Sequence, residues 1–594
     1  MRGSSRQLWS LSPLSTASSL SPTFCWSTWT LTASSRGSFK AATSFSTSVA
    51  GEAGEAETET ETTKGKENEK FFDVVIVGGG MIGSALACGL KKASLTSELN
   101  VAVVDRLPPA HSNDKSKKAQ KGSSVPFPDL RVSTLTPSTL GFLRRVGLGE
   151  TVVAPGKSAA FQHMQIWDAF GEGYVRFSAQ QRGRGGRGEV EQTQTLGHVI
   201  ENEVLKQHLQ DRARSLGCEF IYGDVSEISL PRPEVGITKQ VTKRERASER
   251  HEGKDVGLST RREEEDEEEI ARVFLDQGLT VRTPLVIGAD GGNSFVAKKA
   301  GIRSASYNYG QRAVTCTVRT RTENSTAFQR FLSTGPLALL PVRDGFSNVV
   351  WSTTVSQAEH LESLSARDFA RAVNLALNEE PKGRSSGSFQ WSSLGSQMSS
   401  VVHHLTGKSL GNDNGSDNGS GYGYGGGLKA EGQGDDRFIS PPEVVEVVGT
   451  SQKSFPLKMK HALTYCHKSV ALIGDAAHSI HPLAGQGVNI GFGDVEVLVE
   501  TLQEALWSGQ NYSDLLTLEK YSNKRHRANT AMIRTLDTVK AVYQSQFMPL
   551  AVARNMGMGV LNNAGVLKDL VVGYASSNAS ASKIIKGSRS KSTR

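Results

Sequence analysis

The residues best equipped for chemistry lie in three glycine-flanked segments, two of which set an acid directly after an apolar run. The first, Gly78-Gly79-Gly80-Met81-Ile82-Gly83, is a G-x-G-x-x-G turn, with Asp105 lying 22 residues beyond Gly83. In such a turn Gly78 permits the tight bend, Gly80 lets backbone approach a pyrophosphate and Gly83 allows close helix packing, while the later acid accepts hydrogen bonds from a ribose. The second segment is Gly288-Ala289-Asp290-Gly291. The third begins Gly474-Asp475-Ala476-Ala477-His478, passes His481-Pro482, and ends Gly485-Gln486-Gly487-Val488-Asn489. A helix starting within 487–489 would aim free N–H groups, and a dipole end worth roughly half a positive charge, into that loop. This favours an anionic or electron-rich ligand. His478 and His481 could relay protons or simply hydrogen-bond backbone. No third ligand accompanies them, so no metal role is expected.

These groups need elements to hold them. Val74–Val77 is a buried-strand run ahead of the first turn, residues 84–90 continue as a small-residue helix, and 101–104 form a second strand ending at Asp105. Dinucleotide binding follows from that context. Residues 281–287 read as one strand into Gly288, and 470–473 as another into Gly474. Apolar residues at Val495, Leu498, Val499, Leu502 and Leu506 follow helical spacing. Residues 312–319 and 347–354 alternate like antiparallel strands and predict a second sheet covering the cofactor. Residues 196–209 read as a loop feeding a helix, 217–222 and 225–230 as strands of one sheet that resumes after Ala271, and 521–553 as one long helix. Arg131, ahead of an apolar helix pattern, could reach a phosphate or ribityl oxygen, or form a surface ion pair. Only one nucleotide fingerprint is present, so no NAD(P)H-binding domain is expected.

Composition narrows the class. The five cysteines, Cys25, Cys88, Cys218, Cys316 and Cys466, form no C-x-x-C pair, which argues against a disulfide framework or zinc site and fits a reducing compartment. Residues 1–51 carry Arg2, Arg6, Arg36 and Lys40, with no acid before Glu52, a transit-peptide composition favouring mitochondrial import over chloroplast import. No run approaches the roughly 18 apolar residues of a membrane span. The formal charge of +8 is modest for 594 residues. Polar stretches at 108–128, 180–191, 231–269 and 410–436 cannot bury enough surface to fold and read as loop extensions. Arg182-Gly183-Arg184-Gly185-Gly186-Arg187 lacks aromatic residues for stacking bases, so no nucleic-acid partner is expected.

The three segments in this order resemble the class A FAD-dependent aromatic hydroxylases of p-hydroxybenzoate hydroxylase fold. Phe328-Gln329-Arg330-Phe331-Leu332, Gly335-Pro336-Leu337-Ala338-Leu339-Leu340-Pro341, Val350-Trp351-Ser352-Thr353, Ser454-Phe455-Pro456-Leu457 and 521–529 are similar to the ubiquinone-biosynthesis branch, nearest its mitochondrial members that hydroxylate ring carbon C5. Where that family usually reads Gly-Ala-Asp-Gly-x-x-Ser-x-Val-Arg, this chain has Val296, Ala297 and then Lys298.

The resemblance implies an α/β fold: a Rossmann-like FAD-binding domain, a mostly antiparallel substrate-domain sheet as an α+β second layer, and C-terminal helices. It implies FAD held by Gly78, Gly80, Gly83, Asp105, Arg131, Asp290, Gly291, Gly474, Asp475 and the turn Gly485, Gln486, Gly487, Val488 and Asn489. Asp475 would take a ribityl hydroxyl, and the turn would face the N1 and C2 carbonyl edge of the ring. His478, His481 and Pro482 would form the ring environment. A flavin C4a-hydroperoxide would hydroxylate an electron-rich phenol, a polyprenylated 4-hydroxybenzoate derivative; the alternatives are a different phenolic substrate or a flavin-bearing scaffold without turnover. Implied partners are a polyprenyl phenol and O2, a ferredoxin and its reductase as electron donor, and other ubiquinone-biosynthesis proteins in a membrane-associated complex on the matrix face of the inner membrane. The expected organisation is a leader at 1–51 and a linker at 52–70. FAD-binding parts follow at 71–154, 196–302 and 462–510, with substrate-domain parts at 155–195 and 303–461. C-terminal helices occupy 511–576, and a basic tail 577–594.

Overall fold

The computed structural model describes residues 68–108, 127–179, 195–231, 270–379, 437–481, 485 and 487–563. The leader, the tail and nearly all of the polar stretches lie outside them. The strand Glu69–Phe71 overlaps the last two residues of the expected linker and pairs in parallel with Thr280–Thr283.

A six-stranded sheet runs in the order Cys466–His467, Val470–Leu472, Leu285–Gly288, Val74–Val77, Val101–Asp105, Glu219–Tyr222. All its pairings are parallel except that of Cys466–His467. Parallel strands are buried on both faces, which is why the central ones are unbroken Val, Ile, Leu and Ala runs. The helix Met81–Lys92 packs against Asn202–Ser215 and Gly487–Trp507. Its small residues allow close approach: a Cβ on Gly89 would already touch Val499 at 3.2 Å.

The second sheet has eight strands, ordered His478–Ser479, Val444–Ala462, Ser304–Thr320, Phe346–Thr354, Gly335–Pro341, Thr326–Leu332, His163–Asp168, Tyr174–Ser178. It is antiparallel except where Thr326–Leu332 meets His163–Asp168. Side chains alternate between its faces. Cys316, Phe328, Leu337, Leu339, Val349 and Trp351 form a core under the helices Val355–Ser363 and Ala366–Asn378. The intervening residues face the cofactor half.

Several expectations are corrected. Residues 281–287 are two strands in two sheets, because Pro284 lacks an N–H and breaks the ladder between Thr280–Thr283 and Leu285–Gly288. Residues 217–230 divide likewise: Glu219–Tyr222 joins the six-stranded sheet, and Val225–Ser229 pairs with Ala271–Leu275. The expected loop at the start of 196–209 is the strand Gly197–Glu201, flanked by Val132–Leu135 and Ser158–Phe161. The long helix ends at Gln544 and a second runs Met548–Asn563. Pro549 is tolerated in the first turn of a new helix but not in the interior of an old one.

Candidate active site

Val74–Val77, Leu285–Gly288 and Val470–Leu472 lie side by side, with Gly288 in register with both Val77 and Leu472. Their carboxyl ends deliver all three glycine-flanked segments to one edge, where open α/β sheets bind ligands.

At the first segment Gly78 adopts φ 110°, and a Cβ there would lie 2.4 Å from the Ala289 carbonyl oxygen. A Cβ on Gly83 would lie 2.0 Å from the Gly78 carbonyl oxygen. Around Gly80, by contrast, no atom comes within 4 Å of that position, so its backbone is open to a ligand. No side chain caps the helix Met81–Lys92, leaving its first amides as donors. Gln210 Nε2 and Ser84 Oγ hold the Gly79 carbonyl at 2.7 and 3.1 Å. The Asp105 carboxylate sits beside Gly79.

At the second segment Asp290 Oδ2 accepts from the amides of Phe295 and Val296 at 2.6 and 3.2 Å, while Oδ1 is buried with no partner. That leaves one acceptor for a ligand hydroxyl. Gly291 follows at φ 84°. Ala297, at the family's arginine position, is buried, and Lys298 donates to Asn293 Oδ1 at 2.8 Å. A different cation bridges the segments: Lys460 Nζ donates to the carbonyls of Gly292 (2.9 Å) and Ala476 (3.2 Å). Desolvation lowers its pKa, opposed by Asp290 and Asp475.

In the third segment Gly474 turns at φ 57° and presents Asp475 to solvent, though protein crowds that carboxyl from behind. Desolvation raises its pKa, countered by His478 and Lys460. The turn is fixed from beneath by Asp494, fully buried in the helix Gly487–Trp507. Asp494 Oδ2 accepts the Gly474 amide at 3.0 Å and meets His478 Nε2 at 2.5 Å; Oδ1 accepts from Arg525 Nε at 2.7 Å and Asn529 Nδ2 at 3.2 Å. Burial alone would raise this carboxyl, but His478 and Arg525 hold it down to about 2. His478 therefore bonds a buried carboxylate that also holds the Gly474 amide, rather than backbone.

His481 is buried, has no hydrogen-bond partner among the described residues, and meets the Tyr309 ring edge to face at 5.1 Å. Burial, then the charge of Lys540, lowers its pKa to about 4, and burial with neighbouring histidines lowers His461 likewise. Both fold neutral, whereas unfolded histidine titrates near ~6.5. The unfolded state thus takes up protons first, and stability falls as pH drops from about 6.5 to about 4. Urea midpoints should be lower at pH 5 than at pH 7.5, and His481→Phe should flatten that slope; an unchanged slope would refute the assignment.

Gly485 takes φ 65°, and a Cβ on it would press on Thr134 Oγ1 at 3.0 Å. Gly487 and Val488 open the following helix. The Asn489 side chain is committed to protein, donating to Thr134 O at 2.7 Å and accepting from the Thr136 amide at 3.1 Å and Thr139 Oγ1 at 2.8 Å. What position 489 can offer a ligand is backbone. Pro482 and Gln486 lie outside the described residues. Arg131 is exposed and lines a cavity of about 360 Å³ between Leu130–Val132, Gly485 and the inner face of the large sheet, floored by Pro336, Ala338, Leu340 and Val350. Strand alternation carried the signal for that floor, but nothing local showed which face met the loop.

The donors and acceptors on this edge fit FAD: open first-turn amides for the pyrophosphate, Asp105 for the ribose, and the unpaired Asp290 oxygen with Asp475 for the ribityl chain. Comparison with known proteins decides the family. Residues 72–402 and 439–535 match the family model described as "FAD binding domain". The chain is 30% identical over 516 residues to the mouse protein named ubiquinone biosynthesis monooxygenase COQ6, mitochondrial, covering 86% of this chain and 92% of that one. The Xenopus tropicalis protein of the same name is 31% identical over 522 residues, covering 85% and 93%. The chain belongs to this family. It is an FAD-dependent monooxygenase.

Solved structures give the same fold. p-Nitrophenol 4-monooxygenase PnpA from Pseudomonas putida DLL-E4 superposes with a TM-score of 0.53 at 14% identity, covering 86% of this chain and 99% of its own. PqsL of Pseudomonas aeruginosa in complex with 2-aminobenzoylacetate does so at 0.51 and 16% identity, covering 82% and 100%. The p-hydroxybenzoate hydroxylase-type architecture expected from sequence is the one observed.

Proposed function

We propose that this enzyme hydroxylates the aromatic ring, at C5, of a polyprenylated 4-hydroxybenzoate-derived intermediate in ubiquinone biosynthesis. The observation that carries the reading is the juxtaposition of an apolar-floored cavity with Gly485, at the end of the loop that begins with Asp475. A cavity of about 360 Å³ suits a substituted ring and leaves a polyprenyl tail to extend beyond it. The family relationship supports the pathway and a mitochondrial location. FAD, once reduced, supplies oxygen activation: one atom of O2 goes to the ring and the other to water.

The chain's residues bind and orient. The amides of the Gly487–Trp507 amino end, with its dipole, would stabilise negative charge on the reduced flavin. The sheet floor and the 130–132 segment hold the phenol against the loop and exclude water, the contribution that scales with effective molarity. For the electrons, a ferredoxin and its reductase are proposed, on the family relationship. The polyprenyl tail, at ~0.8 kcal/mol per buried CH2, places the substrate in a bilayer, so the enzyme works peripherally on the matrix face of the inner membrane, beside other proteins of the pathway.

Asp475→Ala should purify with little FAD while keeping its fold. Full flavin content and activity in that variant would overturn the cofactor placement. In cells, loss of the gene should lead to accumulation of a ring-unhydroxylated prenyl phenol; normal quinone levels without such a precursor would refute the pathway.

A further inference from the structure

The polar groups lining the cavity differ in what they have left to offer. Thr315 Oγ1 donates to the Leu130 carbonyl at 3.0 Å, and Asn348 Nδ2 donates to the carbonyls of Leu130 and Cys316 at 3.1 and 3.2 Å. Both side chains are engaged in tying the 130 segment to the sheet. Gln329 is not. It is 5% exposed and lines the cavity, yet its amide makes no hydrogen bond among the described residues. Its orientation is imposed by its neighbours. Phe328 packs into the helix-side core, and Arg330 donates to the carbonyls of Ala376 and Glu379 at 3.0 and 2.6 Å, so the residue between them faces the other way.

The residue is largely buried, and its amide opens into the cavity, where a ligand that displaces water can take its hydrogen bonds. Strand register shows what lies beside it. Gln329 is level with Ala338, Ala338 with Val350, and Val350 with Thr315. Ala338, the smallest side chain of this row, leaves a flat seat next to the amide. At the row's far side Thr315 is spent on backbone, so Gln329 is its one polar side chain free to read a ring substituent.

Resting on the reading of this cavity as the site of a phenolic ring, we propose that the Gln329 amide hydrogen-bonds an oxygen substituent of that ring. The bond seats the ring over Ala338 and selects which ring carbon faces the Gly485 loop. Gln329 is thus a specificity-determining residue, acting on orientation without exchanging a proton or electron.

The test compares two probes on the FAD-loaded enzyme: a para-substituted phenol bearing a short prenyl chain, and the same molecule lacking the phenolic hydroxyl. Binding is followed by flavin absorbance, with FAD content and thermal midpoint as controls. In Gln329→Met, close to isosteric, the phenol should bind about 10- to 100-fold more weakly, or about 1.4 to 2.8 kcal/mol, while the deoxy probe binds as in the wild type. The hydroxylation product from the phenol should become a mixture of ring positions. Gln329→Glu keeps an acceptor and should hold the phenol within a few fold, which serves as a second variant should the methionine chain not fold. Equal weakening of both probes in Gln329→Met, or no weakening of either, would overturn the proposal. A wild-type enzyme that binds neither probe would instead overturn the reading of the cavity on which it rests.

Discussion

Asp494→Ala is expected to lower stability by about 3 to 5 kcal/mol and to strip most of the FAD, the largest single-residue loss at the cofactor edge. The magnitude follows from what the substitution leaves behind. Arg525 and His478 would remain buried without the carboxylate that holds them, and the Gly474 amide would lose its acceptor. Breaking a buried pair costs more than the pair is worth, because the surviving charge is stranded. Asp494→Asn retains the shape and one acceptor and should fall between alanine and wild type.

The flavin loss is a separate consequence. Gly474, at φ 57°, is tied from below by its amide's bond to Asp494, and Asp475 projects from that turn. Urea unfolding and flavin content, measured on the same preparations, separate the two effects. A destabilised variant with wild-type FAD affinity would sever the link between Asp494 and the loop. The pH dependence has a definite sign. With a folded pKa of about 2 against an unfolded value near ~3.9, the stability Asp494 contributes is complete above the unfolded value and is lost as pH falls toward 2. This window lies below that of His461 and His481, so acid unfolding should proceed in two ranges.

The cofactor edge was legible in the sequence because its signals are local. A glycine forced to positive φ and an acid placed one turn after a buried strand are written in contiguous residues, and Gly78, Asp290 and Asp475 all fall where that grammar puts them. What stayed hidden depends on partners far along the chain. Asp494 closes the expected stretch, yet its role needs Arg525, 31 residues later, on another helix. Lys460 is one lysine in a strand of several, and only the fold carries it to Gly292 and Ala476. The strand pattern of 281–287 gave no hint that it serves two sheets beyond Pro284, a residue whose missing N–H was available to be weighed. Gln329 sits in a quoted motif, but its meaning rests on which sheet face meets Gly485.

The same distance in sequence separates the partners of the second large effect. Arg554→Ala should destabilise the enzyme by about 3 to 5 kcal/mol and uncouple it, releasing more hydrogen peroxide per product formed. Arg554 Nε meets Asp168 Oδ2 at 2.5 Å, with both side chains buried, and Nη1 donates to the carbonyls of Val542, Tyr543 and Ser545 at 2.8, 3.3 and 2.9 Å. One guanidinium thus neutralises a buried acid on the large sheet and satisfies carbonyls at the end of the helix Leu515–Gln544, which have no intrahelical donors. Its removal strands both. That helix end carries Tyr543, stacked on Phe331 at 3.9 Å, two residues along the strand from Gln329. With the cavity holding the ring as proposed, loosening that helix end would open the adjoining sheet face to water and favour release of hydrogen peroxide over ring hydroxylation. Combining Arg554→Met with Asp168→Leu should recover part of the stability, since no charge is then stranded, while leaving the helix carbonyls unsatisfied and the coupling poor. Stability within 0.5 kcal/mol of wild type in Arg554→Ala, roughly the bound for a neutral surface change, would show that the guanidinium is not the anchor. Normal coupling in a destabilised variant would show that Tyr543 plays no part in closing the cavity.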